Sequence, residues 1–125
     1  MENKQDSLKV MVIDDSSTVR NSALQFLSDS GYEVTLAENG YEALSTIVDV
    51  KPDVIFLDIM MPKLDGYQTC ALVKHNQDFK DIPIIMLSSK DGVYDKAKAR
   101  VVGANDFISK PFTSDDLINA IKNIK

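Results

Sequence analysis

The chain has 125 residues, 44% hydrophobic and 26% charged, which fits one domain with a core of ordinary size and excludes disorder as the dominant state. Its net charge of −5 argues against nonspecific DNA binding, which needs clustered Lys and Arg, and no apolar run approaches the roughly 18 residues that span a bilayer. Residues 1–7 lack a signal-peptide core, and the single cysteine, Cys70, permits no internal disulfide, so a cytoplasmic location is expected.

Strand-like and helix-like stretches alternate five times. Residues 1–7 read as a flexible tail ahead of a domain over residues 8–125. Residues 8–13 form an apolar strand that runs into Asp14 and Asp15. Residues 16–30 carry Val19, Leu24 and Leu27 at helical spacing, with Gly31 as the stop. Glu33 to Ala37 is a second strand, partly polar and therefore nearer an edge. Asn39 caps a helix from Gly40 to about Asp49, which Lys51-Pro52 ends. Residues 54–57 run into Asp58, and Asp65 opens a third helix over residues 66–76. Residues 84–87 run into Ser88 and Ser89. A fourth helix starts at Asp91 or Gly92 and is closed by Gly103. Asp106 to Ser109 precedes Lys110-Pro111, and a fifth helix over residues 114–124 has Ser114 as N-cap and a stripe of Leu117, Ile118, Ile121 and Ile124. Short apolar runs of this kind are buried parallel strands, and their alternation with helices predicts an α/β doubly wound sheet. No repeat or interdomain linker interrupts it. The polypeptide stops with the last helix, as expected of a stand-alone domain.

Ligands of open parallel sheets sit outside the carboxyl ends of the strands. Asp14, Asp15, Asp58, Ser88 and Lys110 all fall there. Two carboxylates 4 Å apart repel by about 4 kcal/mol at an effective dielectric near 20, so the cluster must take up a proton or a cation. Oxygen ligands with room for water suit magnesium. An Asp after a strand is also a common helix N-cap, and Asp15 before Ser16 fits that description, but three such caps are a poorer account than one site. Lys110 would pair with the acids or with a phosphoryl oxygen, and the Ser88 hydroxyl would donate to the same group. Asp58 could then act as nucleophile and become an aspartyl phosphate.

Residues 58–66 (Asp-Ile-Met-Met-Pro-Lys-Leu-Asp-Gly), with Asp14-Asp15, Ser88 and Lys110-Pro111, resemble the receiver domain of bacterial response regulators. The resemblance covers residues 8–125. It implies a five-stranded flavodoxin-like (βα)5 fold with strand order 2-1-3-4-5, and phosphorylation of Asp58 by a histidine kinase of a chemosensory system. Magnesium would be held by Asp15 and Asp58 directly, by Asp14 mainly through water, and by the backbone carbonyl of Met60. Ser88 and Lys110 would contact the phosphoryl group, with Phe107 as the rotating aromatic and a cis Lys110-Pro111 bond. Met60 and Lys90 would tune phosphate loss. Phe107 stands where chemotaxis-type receivers more often carry Tyr or His, so plain core packing is its other reading. Residues 8–15, 58–71 and 86–97 are most similar to single-domain regulators of twitching motility, with another chemotaxis-type output as the alternative. Such a protein catalyses only its own phosphorylation and dephosphorylation. It would bind a downstream effector through the face of the fourth helix, fifth strand and fifth helix, without nucleic acid or membrane insertion.

Other readings have less support. Aspartyl-phosphate phosphohydrolases usually carry a second acid two residues after the nucleophile, where this chain has Met60. A flavodoxin-like carrier needs a glycine-rich phosphate loop that does not follow the first strand. A degenerate receiver would lack one of the reactive groups. His75 reads as a solvated residue near a helix end and Cys70 as a small core residue. Lys96, Lys98 and Arg100 read as a solvated helix face, with a partner-docking surface as the alternative.

Overall fold

A computed structural model describes residues 8–90 and 92–124. The predicted tail, the alternative helix start at Asp91 and the last residue, Lys125, lie outside them. Five strands, β1 (Lys9–Ile13), β2 (Glu33–Ala37), β3 (Val54–Asp58), β4 (Ile84–Ser88) and β5 (Asp106–Ser109), alternate with helices α1 (Ser17–Asp29), α2 (Gly40–Val50), α3 (Gly66–Lys74), α4 (Val93–Val101) and α5 (Ser114–Asn123). All ladders are parallel and the order is β2-β1-β3-β4-β5, as expected. The chain leaves β1 for β2, then crosses back over β1 to β3, so the topological switch point lies between β1 and β3.

Pleat alternation divides the core in two. Met11, Ile13, Ile55, Leu57, Ile84 and Met86 pack on one face with Ala43 and Ile47 of α2, Cys70 and Val73 of α3, and Ala99 of α4. Val10, Val12, Val54, Phe56, Ile85 and Leu87 pack on the other with Ala23 and Leu27 of α1 and Leu117, Ala120 and Ile121 of α5. Burial on both faces explains why the central strands are continuous apolar runs. The flanking strands β2 and β5 are only half-buried.

Local boundaries correct the sequence reading in four places. The N-cap of α5 is Thr113, not Ser114: its hydroxyl accepts from Asp116 N at 3.1 Å, while the Asp116 carboxylate accepts from Thr113 N at 2.8 Å. This reciprocal box satisfies two end groups, which Ser114 one residue later does not do. The α5 stripe is Leu117, Ala120 and Ile121, with Ile118 and Ile124 half-buried. In α1 the buried residues are Ala23 and Leu27, whereas Val19 and Leu24 are half-buried, so a small side chain forms part of the inner face. Helix α3 ends at Lys74, where the ammonium donates to Lys80 O, Ile82 O and Asn105 Oδ1 at 3.2, 2.7 and 3.1 Å, tying the helix end to the following loop.

Candidate functional site

Backbone ladders extend past the strand ends and fix the polar residues there. Asp14 N donates to Ala37 O at 3.1 Å, Ile59 N to Leu87 O at 3.1 Å, and Lys110 N to Ser88 O at 2.7 Å. The ligand oxygens of Asp14, Asp15 and Asp58 lie within 4.8 Å of one another. Asp14 and Asp58 are buried, at 0% and 3% exposure, and Asp15 is exposed. Ser16, not Asp15, caps α1, its hydroxyl accepting from Val19 N at 3.3 Å. Asp15 is therefore free of the capping role that its position also allowed.

Lys110 Nζ sits 2.8 Å from Asp14 Oδ2 and 2.9 Å from Asp58 Oδ1. One ammonium against three carboxylates leaves the site with a formal charge of −2 when all are ionised. Burial is the largest influence on Asp58 and raises its pKa; the Lys110 hydrogen bond opposes this, the Asp14 charge reinforces it, and the outcome is about 6 against an ordinary 3.8. Burial alone would favour the neutral amine of Lys110, but its hydrogen bonds to Asp14 and Asp58 outweigh that and hold its pKa above the usual lysine value.

The donor set fits magnesium. All donors are oxygen, one carboxylate is open to solvent, and the buried Asp14 Oδ2 has the Lys110 ammonium, 2.8 Å away, as its neighbour among the described residues. Magnesium bound by a few carboxylates retains waters and takes up phosphate oxygens.

Ser88 is buried at the end of β4, and its Oγ accepts from Lys90 N at 2.9 Å, which leaves the hydroxyl proton available to a group in the site. Met60 N approaches Asp58 Oδ1 at 3.4 Å and the Met60 residue is 56% exposed. Lys90 is exposed, Phe107 is half-buried against the α2–α4 core, and the Lys110–Pro111 peptide is cis. His75 is exposed at the α3 C-cap, remote in role from the cluster. Cys70 donates to Val102 O at 3.5 Å, and burial pushes its thiol up to about 11, so it is an unreactive core residue.

Two contributors escaped the sequence reading. Arg20 Nη1 donates to Asp14 O at 2.7 Å, and Nη2 lies 3.7 Å from Glu38 Oε1, bracing the loop after β1 against the one after β2. A lone Arg on a helix has no spacing signature to reveal this. Gly66 packs directly under Asp58: a Cβ there would meet Asp58 O at 2.3 Å. The Asp-Gly pair at residues 65–66 was legible as a helix start but not as a close approach.

This fold with this acidic cluster defines a phosphoacceptor receiver, and the chain belongs to the response regulator receiver domain family, whose model matches residues 10–122. It is 56% identical over 122 residues to Protein PilG of Pseudomonas aeruginosa, covering 98% of this chain and 90% of that one. Response regulator MprA of Mycobacterium bovis is 39% identical over 112 residues; these are 90% of this chain but 48% of MprA, so the chain spans about half of that protein. Among solved structures, Vibrio cholerae chemotaxis protein CheY4 superposes with a TM-score of 0.91 at 32% identity, over 95% of this chain and 99% of that one.

Proposed function

We propose that the chain is a stand-alone response regulator of a chemosensory phosphorelay, phosphorylated on Asp58 by a histidine kinase in the cytoplasm and acting as a protein-binding switch in type IV pilus twitching motility. The observation that carries this is the Lys110 ammonium held between two buried carboxylates, with a third carboxylate completing a cluster of oxygen donors. The likeness to PilG across nearly the whole of both chains supports the motility assignment.

In the reaction an Asp58 carboxylate oxygen attacks the phosphorus of a phosphohistidine, forming the O–P bond as the P–N bond breaks and the imidazole leaves with its electron pair. Asp15, Asp58, the Met60 carbonyl and Asp14 would hold magnesium, which would supply charge neutralisation when bound. Lys110 exchanges its Asp58 bond for a phosphoryl oxygen, and Ser88 donates its free hydroxyl proton to another. Drawing the Ser88 loop inward makes room for Phe107 to turn in, which repacks the surface near Lys90, Tyr94 and Val101 for an effector docking on α4, β5 and α5.

Incubation with a small phosphodonor and magnesium should yield one hydroxylamine-labile phosphate per chain, absent from Asp58→Asn. An adduct that persists in the mutant refutes the assignment. Restoring a deletion strain with the mutant should leave pilus-driven surface spreading defective, whereas normal spreading would remove Asp58 from that output.

A further inference from the structure

Helix α4 is lightly anchored. Ala99 is its one buried side chain among the described residues, while Val93, Tyr94 and Val101 are 87%, 72% and 82% exposed. Its N-cap, Gly92, makes no side-chain hydrogen bond. Two of its lysines reach back over aromatic rings: Lys98 Nζ lies 4.6 Å from the Tyr67 centroid, and Lys96 Nζ lies 5.9 Å from the Phe107 centroid.

The Phe107 contact bears on the switch. Phe107 lines two surface grooves, one of about 230 Å³ shared with Lys96, Arg100 and Asp106, the other bounded by Asn119 and Ala120 of α5. A tyrosine here would keep its hydroxyl hydrated in the outward position. A phenyl ring has no such polar handle, and burial in itself favours the inward position. A resting state with the ring outward therefore needs a counterweight. Lys96 is placed to supply it: among the described residues it makes no ion pair, and a carboxylate oxygen of neighbouring Asp106 already accepts from Phe107 N at 2.8 Å.

We infer that Lys96 is a positioning residue for the switch: its ammonium holds the Phe107 ring outward in the unphosphorylated protein, and inward rotation breaks that contact. This rests on the reading of Phe107 as the rotating aromatic. An exposed cation–aromatic contact shifts a two-state equilibrium about two- to fivefold. Removing it should raise the inward population by that factor, and with it the rate at which a small phosphodonor modifies Asp58, because the inward state is the one phosphorylation favours.

The test is NMR of ring-labelled phenylalanine with and without beryllofluoride and magnesium, alongside phosphorylation rates with phosphoramidate, for wild type, Lys96→Met, Lys96→Arg and Lys98→Met. Lys96→Met should shift the Phe107 signal toward its beryllofluoride position and speed phosphorylation about two- to fivefold. Lys96→Arg should restore wild-type values, and Lys98→Met, which touches the other ring, should leave both unchanged. A wild-type signal that ignores beryllofluoride refutes the rotating-aromatic reading and the inference with it. A normal wild-type response with an inert Lys96→Met, with Lys96→Arg behaving like Lys96→Met, or with Lys98→Met producing the same shift, overturns the role of Lys96 alone.

Discussion

Replacing Asp58 by Asn should stabilise the metal-free protein at neutral pH while abolishing its phosphorylation. The fold favours the protonated carboxyl, since burial and the Asp14 charge outweigh the help from Lys110 and raise the pKa from 3.8 to about 6. A group whose folded pKa is raised contributes stability that is complete below its unfolded pKa and lost as pH climbs through the folded one. The loss therefore develops between about 3.8 and about 6. Two units at 1.36 kcal/mol each make it about 3 kcal/mol near pH 7.5. Asn keeps the shape and an oxygen acceptor for Lys110 without the charge, so it escapes that loss. At a few degrees per kcal/mol for a domain of this size, the midpoint should rise by up to about 10 °C. Thermal melts in chelator between about pH 4.5 and pH 8 should show the gap shrinking toward acid, where the wild type takes up its own proton. An Asn variant less stable than wild type near neutrality, or a gap indifferent to pH, would refute the electrostatic account.

Asp15→Asn should lower magnesium affinity at least about tenfold, or roughly 1.4 kcal/mol, by calorimetry; unchanged affinity would remove Asp15 from the ligand set. Gly66→Ala forces a Cβ to within 2.3 Å of Asp58 O and 2.6 Å of Ile59 Cα, and should cost about 1–3 kcal/mol in denaturant melts. Equal stability would mean that the loop yields freely. On the proposed mechanism the Met60 thioether would shield phosphorus and the Lys90 ammonium would pair with its oxygens, so Met60→Asn with Lys90→Glu should speed loss of phosphate; a slower or unaltered decay would count against that shielding.

The convergence of Asp14, Asp58, Ser88 and Lys110 was legible because a strand end is a fixed point: once five parallel strands are recognised, the residue following each can go nowhere else. What stayed hidden depends on contacts distant in sequence. The ammoniums of Lys96 and Lys98 lie over rings on β5 and α3, whereas on α4 alone they look like any solvated face. Thr113 and Ser114 are adjacent hydroxyl residues that compete for one cap, and the reciprocal bond from Asp116 decides between them. The shifted stripe of α1 has a related cause: apolar spacing favours Leu24, yet Ala23 is the buried residue.

Pleat parity reaches beyond the two cores. Val10, Val12, Val54, Phe56 and Ile108 face α1 and α5, and the ladder bonds past the strand ends carry the same alternation to Asp14, Asp58 and Lys110. Met86 and Phe107 belong to the opposite face, and Ser88 follows Met86 in step. Asp14, Asp58 and Lys110 thus share one side at the carboxyl end of the sheet, and Ser88 and Phe107 share the other. A one-residue insertion in β1 or β5 would reverse a strand's end while leaving its composition nearly untouched. Length changes within these strands should therefore be tolerated in pairs or not at all, which makes the spacing between strand and carboxylate as much a part of the signalling chemistry as the carboxylate.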